Sequence, residues 1–235
     1  MPQAAELDCC ALRGSTATRF ACGSGGASEF QVRGKLRVVD EVCGNVDNEA
    51  MLTPSLPPWP LTPPAHGGVV LRRACESDAA MARELSTDAY VPTIGTLPSH
   101  ASDAEALAWI GRQHRRYDEG TGFSFVIAAA GTDVAVGQCG LWLSELADGR
   151  ATAGYSIVPS ARGRGFAADA LTALTAFGWT VPDLFRIALY IEPWNIGSIR
   201  TAERAGYARE GLLRSHQVIA GVRRDMLLLA AVRPE

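Results

Sequence analysis

With 235 residues, 47% of them hydrophobic, the chain has enough apolar material for one domain with a sizeable core and a tail, but too little for two full domains. A net charge of −3 gives no global field for nucleic acid or an anionic membrane, so any anion site must be local. No run approaches the roughly 20 apolar residues of a membrane helix, and no basic-then-apolar leader opens the chain, so neither a span nor a signal peptide is expected and a cytoplasmic location is the default.

Residues 1–50 show no sustained periodicity and carry four of the six cysteines with glycine-rich patches, which predicts disorder. Residues 51–65 are too proline-dense for helix or sheet and read as an extended leader. Because Met51 opens that leader, translation is expected to start there, the first 50 residues being an over-extended reading frame. The cysteines Cys9, Cys10, Cys22, Cys43, Cys75 and Cys139 form no CxxC pair and meet no histidine at zinc spacing, so free thiols and no metal are expected.

Regular structure begins near Gly68, and residues 66–235 are read as the folded domain. A short strand is predicted over 69–73 and a helix over 76–86, with Met81 and Leu85 on one side. Residues 88–100, with Pro92, Gly95 and Pro98, read as a loop. Ser102 and Glu105 have capping-box spacing at the start of a second helix, whose face Leu107, Ile110, His114 and Tyr117 share; His114 there reads as a packed histidine. Two apolar runs, 123–129 and 134–143, flank Ala130-Gly131-Thr132-Asp133, a hairpin signature, and Asp148-Gly149 turns the chain into a third strand over 150–158.

The next stretch is the most informative. Pro159 ends the strand, Arg162-Gly163-Arg164-Gly165 forms a tight basic turn, and Phe166, Ala170, Leu174 and Phe177 then recur at helical spacing. Unpaired N–H groups at a helix N-terminus, with glycines allowing close approach, suit a phosphate. A strand over 185–191 follows by a helical crossover, so it should lie parallel to the strand that contains Tyr155. Glu192-Pro193-Trp194-Asn195 leads into a helix over 196–205 closed by Gly206, and strands over 212–218 and 223–232 turn at Ala220-Gly221. The order β-α-α-β-β-β-α-β-α-β-β is an α+β fold, mostly antiparallel with one parallel junction.

Gly163 to Ala168 also satisfies GxGxxA, with Glu192 as the ribose acid of an NAD-binding domain. A doubly wound sheet would need further βα units after the motif and no hairpins before it, which argues against that alternative. A P-loop fails because Lys-Ser/Thr does not follow the glycines.

Arg162-Gly163-Arg164-Gly165-Phe166-Ala167 resembles the acetyl-CoA motif, Q/R-x-x-G-x-G/A, of the GNAT family of N-acetyltransferases. Gly137 to Leu141, Gly154-Tyr155, Asn195 to Ser198, Ala205 to Arg214 and Arg224-Asp225-Met226 fall in the order seen in the subgroup that contains the ribosomal-protein N-terminal acetyltransferases. The resemblance covers residues 69–232. It implies a mixed, mostly antiparallel sheet with helices on both faces and a splayed parallel junction that holds acetyl-CoA, here a co-substrate.

In that family the pyrophosphate would sit on the N–H groups of Arg162, Gly163, Arg164, Gly165, Phe166 and Ala167. The pantetheine arm would pair with the backbone near Ile157 and Val158, bringing the thioester beside Asn195 and Ser198. A backbone N–H near Ile157 or Val158 would meet the oxyanion. Many members use a tyrosine to protonate the leaving thiolate; the matching position is Ala202, so the resemblance assigns that role to Ser198, with Asn195 contacting pantetheine or sulfur. Both residues also suit helix capping.

Tyr155, Glu192, Glu210, His216 and Asp225 are candidate bases, and Tyr90 and Trp109 candidates to line the acceptor pocket. Cys139, inside an apolar run, is not expected to be a nucleophile. The expected reaction moves acetyl from acetyl-CoA to a primary amine (a protein N-terminus, a lysine or a small molecule) by direct attack. The alternatives are a bulkier acyl donor and a non-catalytic acyl-CoA sensor. No nucleic-acid or membrane partner is expected, and a homodimer is left open.

Overall fold

The computed structural model describes residues 56–235. The disorder expected of residues 1–50 and the start at Met51 lie outside the described residues. Eight strands form one sheet: β1 (Ala65–His66), β2 (Val69–Arg72), β3 (Gly122–Ala129), β4 (Ala135–Trp142), β5 (Arg150–Ile157), β6 (Arg186–Ile191), β7 (Ala208–Ile219) and β8 (Val222–Val232). The spatial order is β1-β2-β3-β4-β5-β6-β8-β7, and β5–β6 is the only parallel pair among the described residues. This arrangement meets the α+β expectation and removes the doubly wound NAD alternative, which needs consecutive parallel strands.

Five helices accompany the sheet: α1 (Ala79–Ser86), α2 (Val91–Ile94), α3 (Asp103–Asp118), α4 (Phe166–Gly178) and α5 (Ile196–Arg204). The period of two along β3 divides them between the faces. Phe123 and Phe125 point to α4, where Phe177 meets both rings edge-on at 4.8 and 5.3 Å. Ser124, between them, turns to α3 and accepts a hydrogen bond from Arg116. Helices therefore cover both faces, and β3 and β4 at the centre of the sheet are largely buried between them.

The capping box of α3 forms as the spacing required: Ser102 N–H donates to Glu105 Oε2 at 2.8 Å and Glu105 N–H to Ser102 Oγ at 3.3 Å. His114 is packed against the chain before α1, its Nε2 2.8 Å from the Ala74 carbonyl oxygen. The proline-rich segment is seated at its folded end. Trp59 packs against Tyr117, Phe123 and Phe125, and its N–H donates to the Tyr117 hydroxyl at 3.0 Å.

Two elements depart from the sequence reading. Residues 88–100 are not all loop, because Asp88 Oδ1 accepts from the N–H groups of Tyr90 and Val91 and Pro92 sits in the first turn, together starting the short α2. β7 begins at Ala208, four residues before the predicted strand. It is exposed along almost its whole length and carries a bulge between Leu213 and Gln217, with Ser215 at φ 50°, so it shows no alternating apolar signal.

Candidate functional site

The site begins where the parallel pair comes apart. β5 and β6 are in register only at Arg150↔Arg186, Ala151↔Ile187 and Thr152↔Ala188, although β5 runs on to Ile157 and β6 to Ile191. Past the Ala153 N–H, the last group of β5 engaged by the Thr152↔Ala188 bridge, the facing edge of β5 has no strand partner. Val158 N–H donates to the Val136 carbonyl at 3.0 Å, so by antiparallel alternation Ser156 and Gly154 also turn toward β4. The Ala153 carbonyl and the backbone groups of Tyr155 and Ile157 accordingly turn into the gap, where the Ile157 carbonyl accepts from Arg162 Nε at 3.1 Å.

The gap runs into the N-terminus of α4. Gly163 and Gly165 adopt φ of 76° and 86°, left-handed values that favour glycine, and open space lies where either Cβ would stand. The N–H groups of Gly163, Arg164, Gly165, Phe166 and Ala167 donate to no described residue. Five consecutive free donors at the positive end of a helix of 13 residues make an anion cradle. Arg162 braces it from the side through its ion pair with Asp88 at 2.7 Å. Burial opposes ionisation of Asp88, but hydrogen bonds from Val91, Tyr90 and Arg162 outweigh it and hold the carboxyl below its ordinary range.

Cradle and gap form one cleft of about 680 Å³. Its far wall is α5. Asn195 Oδ1 accepts from Ser198 N–H at 3.1 Å, the cap that the residue types allowed, while the Ser198 side chain lines the cleft beside the Tyr155 hydroxyl. The Tyr155 hydroxyl donates to the Ser198 carbonyl at 3.2 Å, and burial pushes its pKa up, so it is a neutral donor bracing α5. Ala202, at the position of the usual tyrosine, is fully buried.

Of the sequence-predicted site residues, Ile157, Arg162, Gly163, Arg164, Gly165, Phe166, Ala167, Asn195 and Ser198 all line this cleft. Val158 does not: its N–H and C=O are both bonded, to Val136 and Ala161, and its side chain is buried. Arg162 N–H turns back to the Pro159 carbonyl at 3.4 Å, which leaves the five later N–H groups as the cradle. The sequence reading passed over Arg200 and Arg204, which line the same cleft without an acidic partner among the described residues. Their i, i+4 spacing on one helix was the signal available.

Through the splay the cleft reaches a second cavity of about 480 Å³ on the α3 face. Tyr90, Val91 and Ile94 line both, so α2 straps the junction. Tyr90 packs edge-on against Trp194 at 4.9 Å, and burial, then the facing Glu192 carboxylate, keeps its hydroxyl protonated. Trp109 lines the second cavity as well. Its floor is Trp142, whose ring lies across Gly140 and Gly154; a Cβ at Gly154 would come within 2.9 Å of that ring. The glycines of two sequence motifs are thus explained by the room an indole needs.

None of the five candidate bases stands free at the junction. Glu192 is buried behind Tyr90 and faces Arg224 at 3.6 Å, Glu210 is paired with Arg186, and Asp225 accepts from Ser215 N–H. His216 stacks on Tyr190 at the surface, and Tyr155 braces α5. Cys139 is fully buried, and burial pushes its thiol far above the ordinary range.

A family model described as acetyltransferase (GNAT) domain matches residues 69–208, more than half the chain. The chain belongs to the GNAT acetyltransferase family. The uncharacterized N-acetyltransferase p20 of Bacillus licheniformis is 32% identical over 117 residues, which span 50% of this chain and 66% of that protein. The uncharacterized N-acetyltransferase YoaA of Bacillus subtilis is 25% identical over 71% of this chain and 94% of its own length. Among solved structures, RimJ of Mycobacterium smegmatis in complex with CoA-disulfide is 26% identical, with a TM-score of 0.58 over 74% of this chain and 86% of its own. The GNAT fold and the N-acetyltransferase expectation are met.

Proposed function

We propose that this GNAT domain, residues 66–235 with 51–65 as its leader, transfers acetyl from acetyl-CoA to a primary amine by direct attack. The observation that carries the reading is the continuity of the free N–H groups at α4 with the unpaired edge of β5, a phosphate cradle leading into an extended polar edge. The N–H groups of Gly163, Arg164, Gly165, Phe166 and Ala167 hold the pyrophosphate, with Arg164, Arg200 and Arg204 adding charge at the rim. The Ala153 carbonyl, the N–H and C=O of Tyr155 and the Ile157 N–H offer the backbone partners that an amide-bearing pantetheine arm requires, in the manner of an added strand.

The thioester then lies at the junction, with the Ser198 hydroxyl on one side and the second cavity on the other. An attacking amine must be neutral, yet reference pKa values are about 8 for α-amino groups and 10.4 for lysine. None of the five candidate bases stands free at the junction to take its proton, so water does. Amine nitrogen bonds to the thioester carbon, and an outward-turned N–H of β5 stabilises the oxyanion. The C–S bond breaks, the Ser198 hydroxyl donates a hydrogen bond to the departing thiolate, and the thiolate takes back through water the proton that the amine gave up. Products are an amide and the free thiol of CoA. A cytoplasmic setting accords with the free thiols of Cys75 and Cys139.

Release of free thiol from acetyl-CoA, followed against a panel of peptides and small amines, tests the reading. Acceptor-dependent release that disappears on substitution of Gly165 is expected. Binding of acetyl-CoA without release for any amine would instead favour a sensor.

A further inference from the structure

The second cavity carries charge of one sign. Its lining contains no Asp, Glu or Lys, and its single charged side chain is Arg116. Arg116 Nη1 donates to Gln113 Oε1 at 2.6 Å and to Ser124 Oγ at 3.0 Å, and its guanidinium lies 5.4 Å from the centre of the Trp142 ring that forms the floor. Its Nε and Nη2 donate to no described residue, and no described carboxylate lies within ion-pair distance of it.

The surroundings worsen this imbalance. Arg112, one turn earlier on α3, adds like charge, and its own Nε is buried without a partner. Gln138, also in the lining, has its Oε1 buried without a donor. A half-buried guanidinium that meets only neutral acceptors and a second arginine is unfavourable until a counter-charge arrives. Such a site lacks an anion.

Building on the acetyltransferase reading above, we propose that the acceptor is a primary amine that itself carries a carboxylate. The carboxylate is held by the free edge of the Arg116 guanidinium above Trp142, and the amine points through the splay toward the thioester. An N–H of the acceptor supplies the donor that Gln138 Oε1 lacks. The same lining disfavours polyamines, whose additional cations would face Arg116 and meet no acid. A free amino acid and a peptide with an acidic residue beside its N-terminus share this chemistry.

The test is thiol release from acetyl-CoA with matched acceptors: the free amino acids against their carboxamides, peptides opening Ser-Glu against Ser-Gln, and spermidine. Calorimetric titration of acetyl-CoA is run beside it. The expected result is a preference for the carboxylate partner in at least one matched pair of about tenfold or more in kcat/KM, the scale of a hydrogen bond to a charged group. Arg116→Gln should erase that preference and Arg116→Lys should keep part of it. The pair that responds identifies the source, free amino acid or peptide.

Equal rates for carboxylate and amide partners, preference for spermidine, or no reaction of any carboxylate-bearing amine would overturn the proposal while leaving the acetyl-CoA site standing. Failure of acetyl-CoA to bind would overturn the site reading and the proposal with it. The wild-type comparison decides the matter even if either Arg116 variant is unstable.

Discussion

Alanine at Gly165 separates the fold of the glycine turn from its use. The residue has φ 86° and no neighbour within 4 Å of a built Cβ, so the substitution meets left-handed strain and no clash. That strain is about 1–2 kcal/mol. For a domain of this size it lowers Tm by roughly 2–8 °C. The new methyl group would occupy open space at the mouth of α4, space that the proposed pyrophosphate would share.

Hydrogen bonds to charged groups contribute about 1.5–3 kcal/mol each, so displacing two weakens acetyl-CoA binding by about 10²-fold or more. Gly206→Ala is the control, because Gly206 has φ 87°, equally open space, and no place in the cleft lining. Calorimetric titration with acetyl-CoA and thermal melts of both variants would be compared. Both should lose similar Tm, and only Gly165→Ala should lose affinity. If Gly165→Ala binds acetyl-CoA within threefold of wild type while its Tm falls as predicted, the phosphates do not rest on this turn.

Ser198→Ala should lower kcat by about 10–100-fold with little change in acetyl-CoA affinity or Tm, since the bonds to Asn195 and to the Tyr155 hydroxyl that run through the Ser198 backbone survive; an unchanged kcat would remove Ser198 from the mechanism. Replacing Arg200 and Arg204 together with alanine should weaken CoA binding and flatten its dependence on salt, read by titration at two ionic strengths. Asp78, buried and held by two Arg72 hydrogen bonds of 2.8–2.9 Å, has its carboxyl below the ordinary range: burial alone would raise it, and the bonds from Arg72 and Cys75 prevail. Its folded pKa is depressed, so its stabilisation is full above the ordinary carboxylate pKa near 4 and fades as pH falls through the folded value. Asp78→Asn should therefore cost about 3 kcal/mol at pH 7, with the gap to wild type closing toward pH 2 in chemical denaturation. Peptide mapping after alkylation at pH 8 should find Cys75 modified and Cys139 untouched in folded protein.

Much of this was legible locally. Ser102 and Glu105 announce the start of α3 because a capping box is a contact between residues three apart. Ala130 to Asp133 and Ala220-Gly221 announce hairpins because their backbone must take positive φ, as Gly131, Asp133, Ala220 and Gly221 do. The glycine turn was readable for the same reason. Phosphate-binding geometry made of backbone N–H groups needs only the local sequence that bends them into place.

The sheet's splay required the fold. Whether β5 and β6 part after Thr152 depends on how α4 and α5 pack against strands distant in sequence, and so does the alternation that turns Val158 inward and Ala153, Tyr155 and Ile157 into the gap. The second cavity is more remote still. Arg116 on α3, Trp142 at the end of β4 and Gly154 on β5 have no common sequence motif, and they meet because strand register brings Gly140 opposite Gly154 beneath a helix crossing the same face. Local sequence determines turns, caps and a cradle for phosphate, since those are made by neighbours along the chain. Long-range packing alone decides which cation is left without a partner, because pairing is a property of the whole surface around it.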